Sequence, residues 1–378
     1  MSIFNQDQPH QAILVLADGS VFQGEAVGKV GDTVGELIFN TAMTGYQEAI
    51  SDPSYAGQLL CFSNPHIGNV GATLADQESK GVYLSGVVLS CSEIYQKHWR
   101  AQSSLGEYLK QHDIVGIGGI DTRQLCRHLR DNGAQNACIM SGRVDYEEAL
   151  KKAQGCAGLL GQDLAFQVTT PEVYEWSEGS DPLVMRSPIH LSTKKHIVVV
   201  DFGVKHSILR LLVDRGCQVT VVPAHSTCAS ILAMNPHGVL LSNGPGDPAA
   251  NASYIELAAE IVKAKLPVFG LCFGCQLLAL SMGGQTVKMK FGHHGANHPV
   301  IDLKNQRVFI SSQNHGFMVD EETLPEALHV THRSLFDGSI QGIANHDSSI
   351  MGFQGHPESA PGPDDLAHIF DEFIQSAT

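Results

Sequence analysis

The sequence is short of positive charge and of long apolar runs. Lys and Arg number 24 against 39 Asp and Glu, a formal net charge of -15 over 378 residues. Such a surplus of carboxylates repels a phosphate backbone and an anionic lipid surface, so neither nucleic acid nor membrane is an expected partner. No uninterrupted apolar stretch reaches the ~18 to 20 residues that span a bilayer. The opening "MSIFNQDQPHQ" lacks the basic-then-apolar layout of a secretory signal, and the expected location is the cytoplasm. Nine cysteines, an odd number scattered through surroundings such as "LLCFS" and "ACIM", read there as small buried hydrophobes unless context marks one out. Absent too is any G-x-x-x-x-G-K-[ST]; "NGPGDP" is glycine-rich but has no lysine, so no ATP site of that kind is expected.

What is present is an ordinary folded composition, 43% hydrophobic and 17% charged, in a chain long enough for two domains. Residues 1–150 read as a smaller, mixed α/β domain. "AILVLADGSVFQGEAVG" has the alternation and Asp-Gly punctuation of a hairpin, and "GQLLCFSNPHIGNVG" and "GVYLSGVVLS" suggest further strands. "SSLGEYLKQHD" and "IDTRQLCRHLRDNG" carry the apolar spacing of short helices. Residues 151–194, including the aperiodic "TTPEVYEWSEGSDPLVMRSP", read as a connection. Residues 195–378 alternate buried strands ("HIVVVDFG", "QVTVVPA", "GVLLSNGPGDP", "LPVFGL") with amphipathic helices. That rhythm predicts a mostly parallel sheet covered by helices on both faces, with its site beyond the carboxyl ends of the strands.

Two cysteines stand at such an end, in "GLCFGCQLLAL". With His293, His294 and His298 of "FGHHGANHP" downstream, Cys272 and Cys275 resemble a zinc-ligand spacing. Against zinc, the intervening residues form an amphipathic helix whose apolar face belongs in the core of a sheet. A redox pair at a helix N-terminus fits locally but leaves the other concentrated chemistry unexplained. Cys272 sits where a buried strand must turn sharply into a helix, flanked by Gly270 and Gly274 as in the G-x-S-x-G nucleophile elbow. The helix N-terminus favours thiolate there, and its free N–H groups suit an oxyanion. In "GFQGHPE", His356 and Glu358 alternate along an extended segment and share a side. A carboxylate on one imidazole nitrogen leaves the other to take a thiol proton, so Cys272, His356 and Glu358 read as nucleophile, base and orienter. A packed cysteine and a helix-capping histidine remain the alternatives for either residue alone.

"NGPGDP", "GLCFGCQLLAL" and "GFQGHPE" resemble the three signatures of class I glutamine amidotransferases. "DFGVKHSILRLL", "KMKFGHHGANHPV", "QNHGFMVD", "FNTAMTGYQEAISDPSY" and "PHIGNVG" extend the resemblance along the whole chain to the small, glutamine-hydrolysing subunits of carbamoyl-phosphate synthase. The resemblance implies an N-terminal domain peculiar to these subunits, then a glutaminase domain in which Cys272 attacks L-glutamine to form a γ-glutamyl thioester. It implies a glutamine pocket lined by Ala42, Gly244, Gly246, Phe273, Gln276, Asn314, Gly316 and Phe317, with the N–H groups of Gly244 and Phe273 facing the oxyanion. It implies no cofactor or metal in this chain. ATP and its metal ion belong to a large synthetase subunit, the partner in a heterodimer or higher oligomer, and the product feeds arginine and pyrimidine synthesis. Two positions depart from the family's habit: Ala42 where relatives often carry Ser, and Cys275 where they often carry His. The departures imply weaker glutamine binding at most and a packing role for Cys275. The "HHGANHP" histidines are expected in a structured loop near the site or the partner surface. A glutaminase of another pathway, such as anthranilate or guanylate synthesis, fits the extra N-terminal domain poorly. A zinc- or redox-regulated protein is the alternative of a different class.

Overall fold

The structure, a computed structural model, describes residues 10–181 and 194–377. The later part of the expected connection and the first nine residues, on which the signal-sequence reading rests, lie outside the described residues. The chain forms two compact units. Of the described residues, one takes those up to Tyr46, Gly57–Leu74 and Leu84–Gly158; the other takes Gln47–Ala56, Ala75–Tyr83 and those from Leu159 on. Two short segments of the N-terminal region therefore belong with the second unit.

The first unit is a closed barrel of seven strands: β1 Gln11–Leu16, β2 Val21–Gly28, β3 Asp32–Asn40, β4 Gln58–Phe62, β5 Gly86–Val88, β6 Val115–Gly118 and β7 Gln135–Ser141. Their order is β1-β2-β6-β5-β4-β3-β7, with β7 closing back on β1. The expected hairpin is present: β1 pairs antiparallel with β2 across a turn in which Asp18 Oδ1 accepts from the Ser20 N–H at 2.8 Å. Closure removes free strand edges, and it depends on the parallel ladders β3–β4, β4–β5 and β5–β6. Along β1 the period of two divides the core. Ala12, Leu14 and Leu16 join Leu37, Leu59 and Ile117, whereas Ile13 and Val15 pack with Ala149 and Ala153 of the helix Tyr146–Gly155. Both expected helices form, Leu105–Gln111 behind a Ser104/Glu107 capping box and Thr122–Asn132 behind N-cap Asp121.

The second unit is built on a ten-stranded sheet. Its strands are β8 Tyr174–Trp176, β9 His196–Asp201, β10 Gln218–Pro223, β11 Gly238–Leu241, β12 Val268–Leu271, β13 Thr286–Asp302, β14 Val308–Val319, β15 His329–Ser334, β16 Ile340–Ala344 and β17 Ile350–Phe353. The order is β14-β13-β15-β16-β17-β12-β11-β9-β10-β8. The run β17-β12-β11-β9-β10 is parallel, as the apolar runs predict; an antiparallel flank extends it on the β17 side. In β9, Val198 and Val200 face the cluster of helices Ala252–Lys263 and Phe273–Ser281, while Ile197 and Val199 face helices His206–Asp214 and His368–Ser376. Helices thus cover both faces. The "HHGANHP" histidines stand on strand β13, not in a loop, because that segment pairs with β14 through registers such as His294↔Asn314. Among the described residues no helix is long and apolar enough to cross a membrane.

Candidate active site

Cys272 occupies the turn between β12 and the helix Phe273–Ser281, at φ 51° and ψ -104°, a region costly for a residue with a Cβ. Packing holds it there. The Cys272 N–H donates to Phe353 O on β17 at 2.8 Å, and the Gly274 N–H donates to Ser242 O just past β11 at 3.0 Å. At Gly274 a Cβ would run into the Leu241 carbonyl, so the G-x-C-x-G glycine is required by the close approach of helix to strand.

Three elements bring groups to the sulfur. From β14, the Asn314 carbonyl accepts from Cys272 Sγ at 3.5 Å. After β17, Gln354 Nε2 donates to the sulfur at 3.7 Å, and the same extended segment carries His356, whose N–H donates to Ser312 O at 2.9 Å. His356 Nδ1 lies 2.7 Å from Glu358 Oε1, both side chains buried. An ionised carboxylate accepts only, so Nδ1 donates and Nε2, without a hydrogen-bond partner among the described residues, is left available. Lys205, ahead of the helix His206–Asp214, closes the chain: its Nζ donates to Glu358 Oε1 at 2.8 Å and to the Ala360 carbonyl.

The electrostatics follow from burial set against these pairings. Burial alone would lower the His356 pKa, but the Glu358 charge and then the Cys272 sulfur raise it to about 10. Burial would raise Glu358, but the Lys205 and His356 charges bring it down to about 2. Lys205 is raised despite burial by Glu358, Glu78 and Asp52. At neutral pH the site holds an imidazolium between a carboxylate and a sulfur, with a lysine fixing the carboxylate. Cys275, three residues from Cys272, is packed among apolar side chains such as Leu277, Leu278 and Ile343, and burial pushes its thiol up. It faces a core, not a ligand shell. Among the described residues no group of three or more His, Cys, Asp or Glu side chains is arranged to hold a metal ion.

The residues implied to line a glutamine pocket fall into three groups. Phe273, Gln276, Asn314 and Phe317 surround the sulfur's turn: Gln276 Nε2 donates to Phe317 O at 2.7 Å and to Gln354 Oε1 at 3.0 Å. Gly244 and Gly246 lie past β11, where Gly244 is pressed on Phe202 O (2.5 Å from an added Cβ) and Gly246 has φ +88°. Gly316 faces open space. Ala42 belongs to the barrel unit, its N–H donating to Asn40 Oδ1 at 2.7 Å, and shares no compact unit with the other residues. Sequence reasoning passed over Asp52, Ser54, Lys205, Asn243 and Gln354. Ser54 Oγ accepts from Asn243 Nδ2 at 2.9 Å, and Asn243 Oδ1 accepts from the Lys205 N–H at 3.3 Å. All five lie within or beside the quoted motifs "SDPSY", "DFGVK", "NGPGDP" and "GFQGHPE"; their signal was position in a motif, without a chemistry of their own.

Residues 198–376 match the family glutamine amidotransferase class-I, and residues 14–139 match the carbamoyl-phosphate synthase small chain, CPSase domain. Carbamoyl phosphate synthase small chains are similar from end to end. That of Thioalkalivibrio sulfidiphilus is 54% identical, with 96% of each chain covered. Those of Pasteurella multocida and Vibrio vulnificus are each 52% identical over 96% of this chain, covering 94% and 97% of the relatives. The chain belongs to the carbamoyl-phosphate synthase small-chain family. The Cys272, His356, Glu358 and Lys205 cluster lies within the amidotransferase match, whereas Ala42, Asp52, Ser54 and Glu78 lie within the CPSase-domain match.

Proposed function

We propose that this chain is the glutaminase subunit of carbamoyl-phosphate synthase, hydrolysing L-glutamine at Cys272 and passing ammonia to a large synthetase subunit. The observation that carries the reading is the buried Cys272, His356, Glu358 and Lys205 cluster at a strained strand-to-helix turn. The Cys272 thiolate adds to the side-chain carbonyl carbon of glutamine, and the oxyanion forms against N–H groups at the helix N-terminus, Phe273 and Gly244. His356 Nε2 gives its proton to the amide nitrogen; the C–N bond breaks, releasing ammonia and leaving a γ-glutamyl thioester. The now neutral imidazole takes a proton from water as it attacks the thioester, and glutamate leaves with the thiolate and imidazolium restored. Glu358 holds the ring's orientation and Lys205 holds Glu358. Gly246, Gln276, Asn314, Gly316 and Phe317 complete the glutamine pocket.

The chain needs no cofactor for these steps. ATP, its metal ion and bicarbonate are handled by the large subunit, in a cytoplasmic heterodimer or higher oligomer. In Cys272→Ala, glutamine-dependent carbamoyl phosphate synthesis by the complex is expected to vanish while ammonia-dependent synthesis persists. Glutamine-dependent synthesis surviving in that variant would overturn the reading, and so would loss of both activities in an intact complex.

A further inference from the structure

Asp52 lies far before the amidotransferase match in sequence, yet it is part of the same compact unit as Cys272. It caps the short 3-10 helix Pro53–Tyr55, Oδ1 accepting from the Ser54 N–H at 2.9 Å. Capping a three-residue turn needs one oxygen, and a buried carboxylate would be a costly choice for that alone. Its other bonds show what else it does. Oδ2 accepts from Asn314 Nδ2 at 2.8 Å, and Oδ1 lies 3.4 Å from Asn243 Nδ2. Asn314 supplies the carbonyl at the Cys272 sulfur; Asn243 immediately precedes Gly244. One carboxylate thus joins the strand that faces the nucleophile to the loop that begins with Gly244.

The far end of Asn314 is held as well. Since its Nδ2 donates to Asp52, its Oδ1 faces His294 Nδ1 at 2.9 Å and can only accept, which fixes His294 with a proton on Nδ1. The Asn314 carboxamide is gripped at both ends, so its backbone cannot turn without breaking a buried hydrogen bond.

We propose that Asp52 is a positioning residue for glutamine hydrolysis, setting Asn314 against Cys272 and Asn243–Gly244 against the developing oxyanion. The proposal rests on the glutaminase reading above. It also means that the amidotransferase machinery of this chain is completed by a residue from the region matched as the CPSase domain.

The test uses the full small chain with its large subunit and reads three quantities: glutamine kcat and KM, ammonia-dependent synthesis, and the rate at which a chloroketone analogue of glutamine alkylates Cys272. Asp52→Ala is expected to lower kcat and the alkylation rate together by about tenfold or more, with ammonia-dependent synthesis unchanged. Asp52→Asn keeps the cap but sets an amide N–H against Asn314 Nδ2; Asn314→Asp sets two carboxylates face to face. Both lose activity. The double variant D52N/N314D restores the 52–314 bond with its polarity reversed, since the amide at 52 donates to the carboxylate at 314, while His294 Nδ1 still donates to position 314 and the Ser54 N–H to position 52. Recovery of most of the lost kcat in the double variant supports positioning. A wild-type kcat in Asp52→Ala overturns the proposal, and so does a folded double variant no better than the worse single one. If Asp52→Ala does not fold, the near-isosteric pair D52N and D52N/N314D decides alone. Alkylation that survives in Cys272→Ala would instead sink the glutaminase reading, whatever Asp52 does.

Discussion

Leu59 in the barrel and Lys205 in the amidotransferase unit are both withdrawn from water, and they mark two kinds of interior. Leu59 packs with Leu14, Leu37, Val88 and Ile117, neighbours that ask only for the right volume. Lys205 sits among Glu358, Glu78 and Asp52, and each of these charges is tolerable only because another is in place. The first interior supplies stability and tolerates exchange of one hydrophobe for another. The second supplies position, and a change at one member strands the rest. In the second interior, activity can be lost without loss of fold.

Lys205→Met should be the most damaging. It keeps the length of the side chain but removes the cation, leaving Glu358 buried with His356 alone. Glutamine-dependent kcat of the complex is expected to fall about a hundredfold, against a wild-type ammonia-dependent rate, by analogy with the cost of breaking a buried pair. The pH dependence should move too. Lys205 is the first charge that holds Glu358 down at about 2, so without it the carboxyl keeps its proton to higher pH and the acid limb of kcat shifts upward. In the wild type the ionised Glu358 stabilises the fold above its unfolded value near 4.5, a contribution lost as pH falls towards about 2. For His356 the sign is opposite: its contribution is complete below about 6.5 and is lost as pH rises through about 10. A folded Lys205→Met complex with an unshifted acid limb and full kcat would erase the distinction between the two interiors.

Leu59→Ala addresses the other side. It leaves a cavity in the barrel core, and chemical unfolding should show a loss of about 2 to 5 kcal/mol. The glutamine kcat per folded molecule should stay at the wild-type value. A selective loss of glutamine-dependent turnover in this variant would show the barrel core to be more than a scaffold.

The two interiors differed as much in legibility. In the second unit the parallel strands, their helices and the C-terminal placement of the site followed from apolar runs that alternate with amphipathic segments. The elbow at Cys272 and the His356–Glu358 pair could be read because each is local: two glycines around a cysteine, and two residues on one side of an extended segment. Asp52, Lys205 and Asn243 could not. Each acts on residues 38 to 262 positions away, and a lone Asp before Pro or a Lys before a helix has an ordinary local explanation. Barrel closure escaped for the same reason, since the ladders of β3 through β6 join segments separated by helices and loops. The antiparallel flank did so too, because a segment as polar as "GHHGANHP" reads as a loop until its partner strand is known.

Cys275 tests the boundary between the interiors, because it lies three residues from Cys272, the proposed nucleophile, yet belongs to the apolar kind. Its sulfur touches a core in which even a Cβ on Gly352 would come within 2.8 Å, and burial, then the neighbouring Cys272, drives its thiol well above the ordinary range. A thiol held that way is neither a nucleophile nor a metal ligand at neutral pH. Cys275→Ala should therefore cost only the packing of one sulfur, about 1 kcal/mol of stability, with glutamine kcat unchanged. Peptide mapping after treatment with the glutamine chloroketone should find the adduct on Cys272 and none on Cys275. An adduct on Cys275, or a disulfide between the two under mild oxidation, would show that the elbow opens far enough to expose its second sulfur, and the apolar interior would then reach less close to the site than the packing shows.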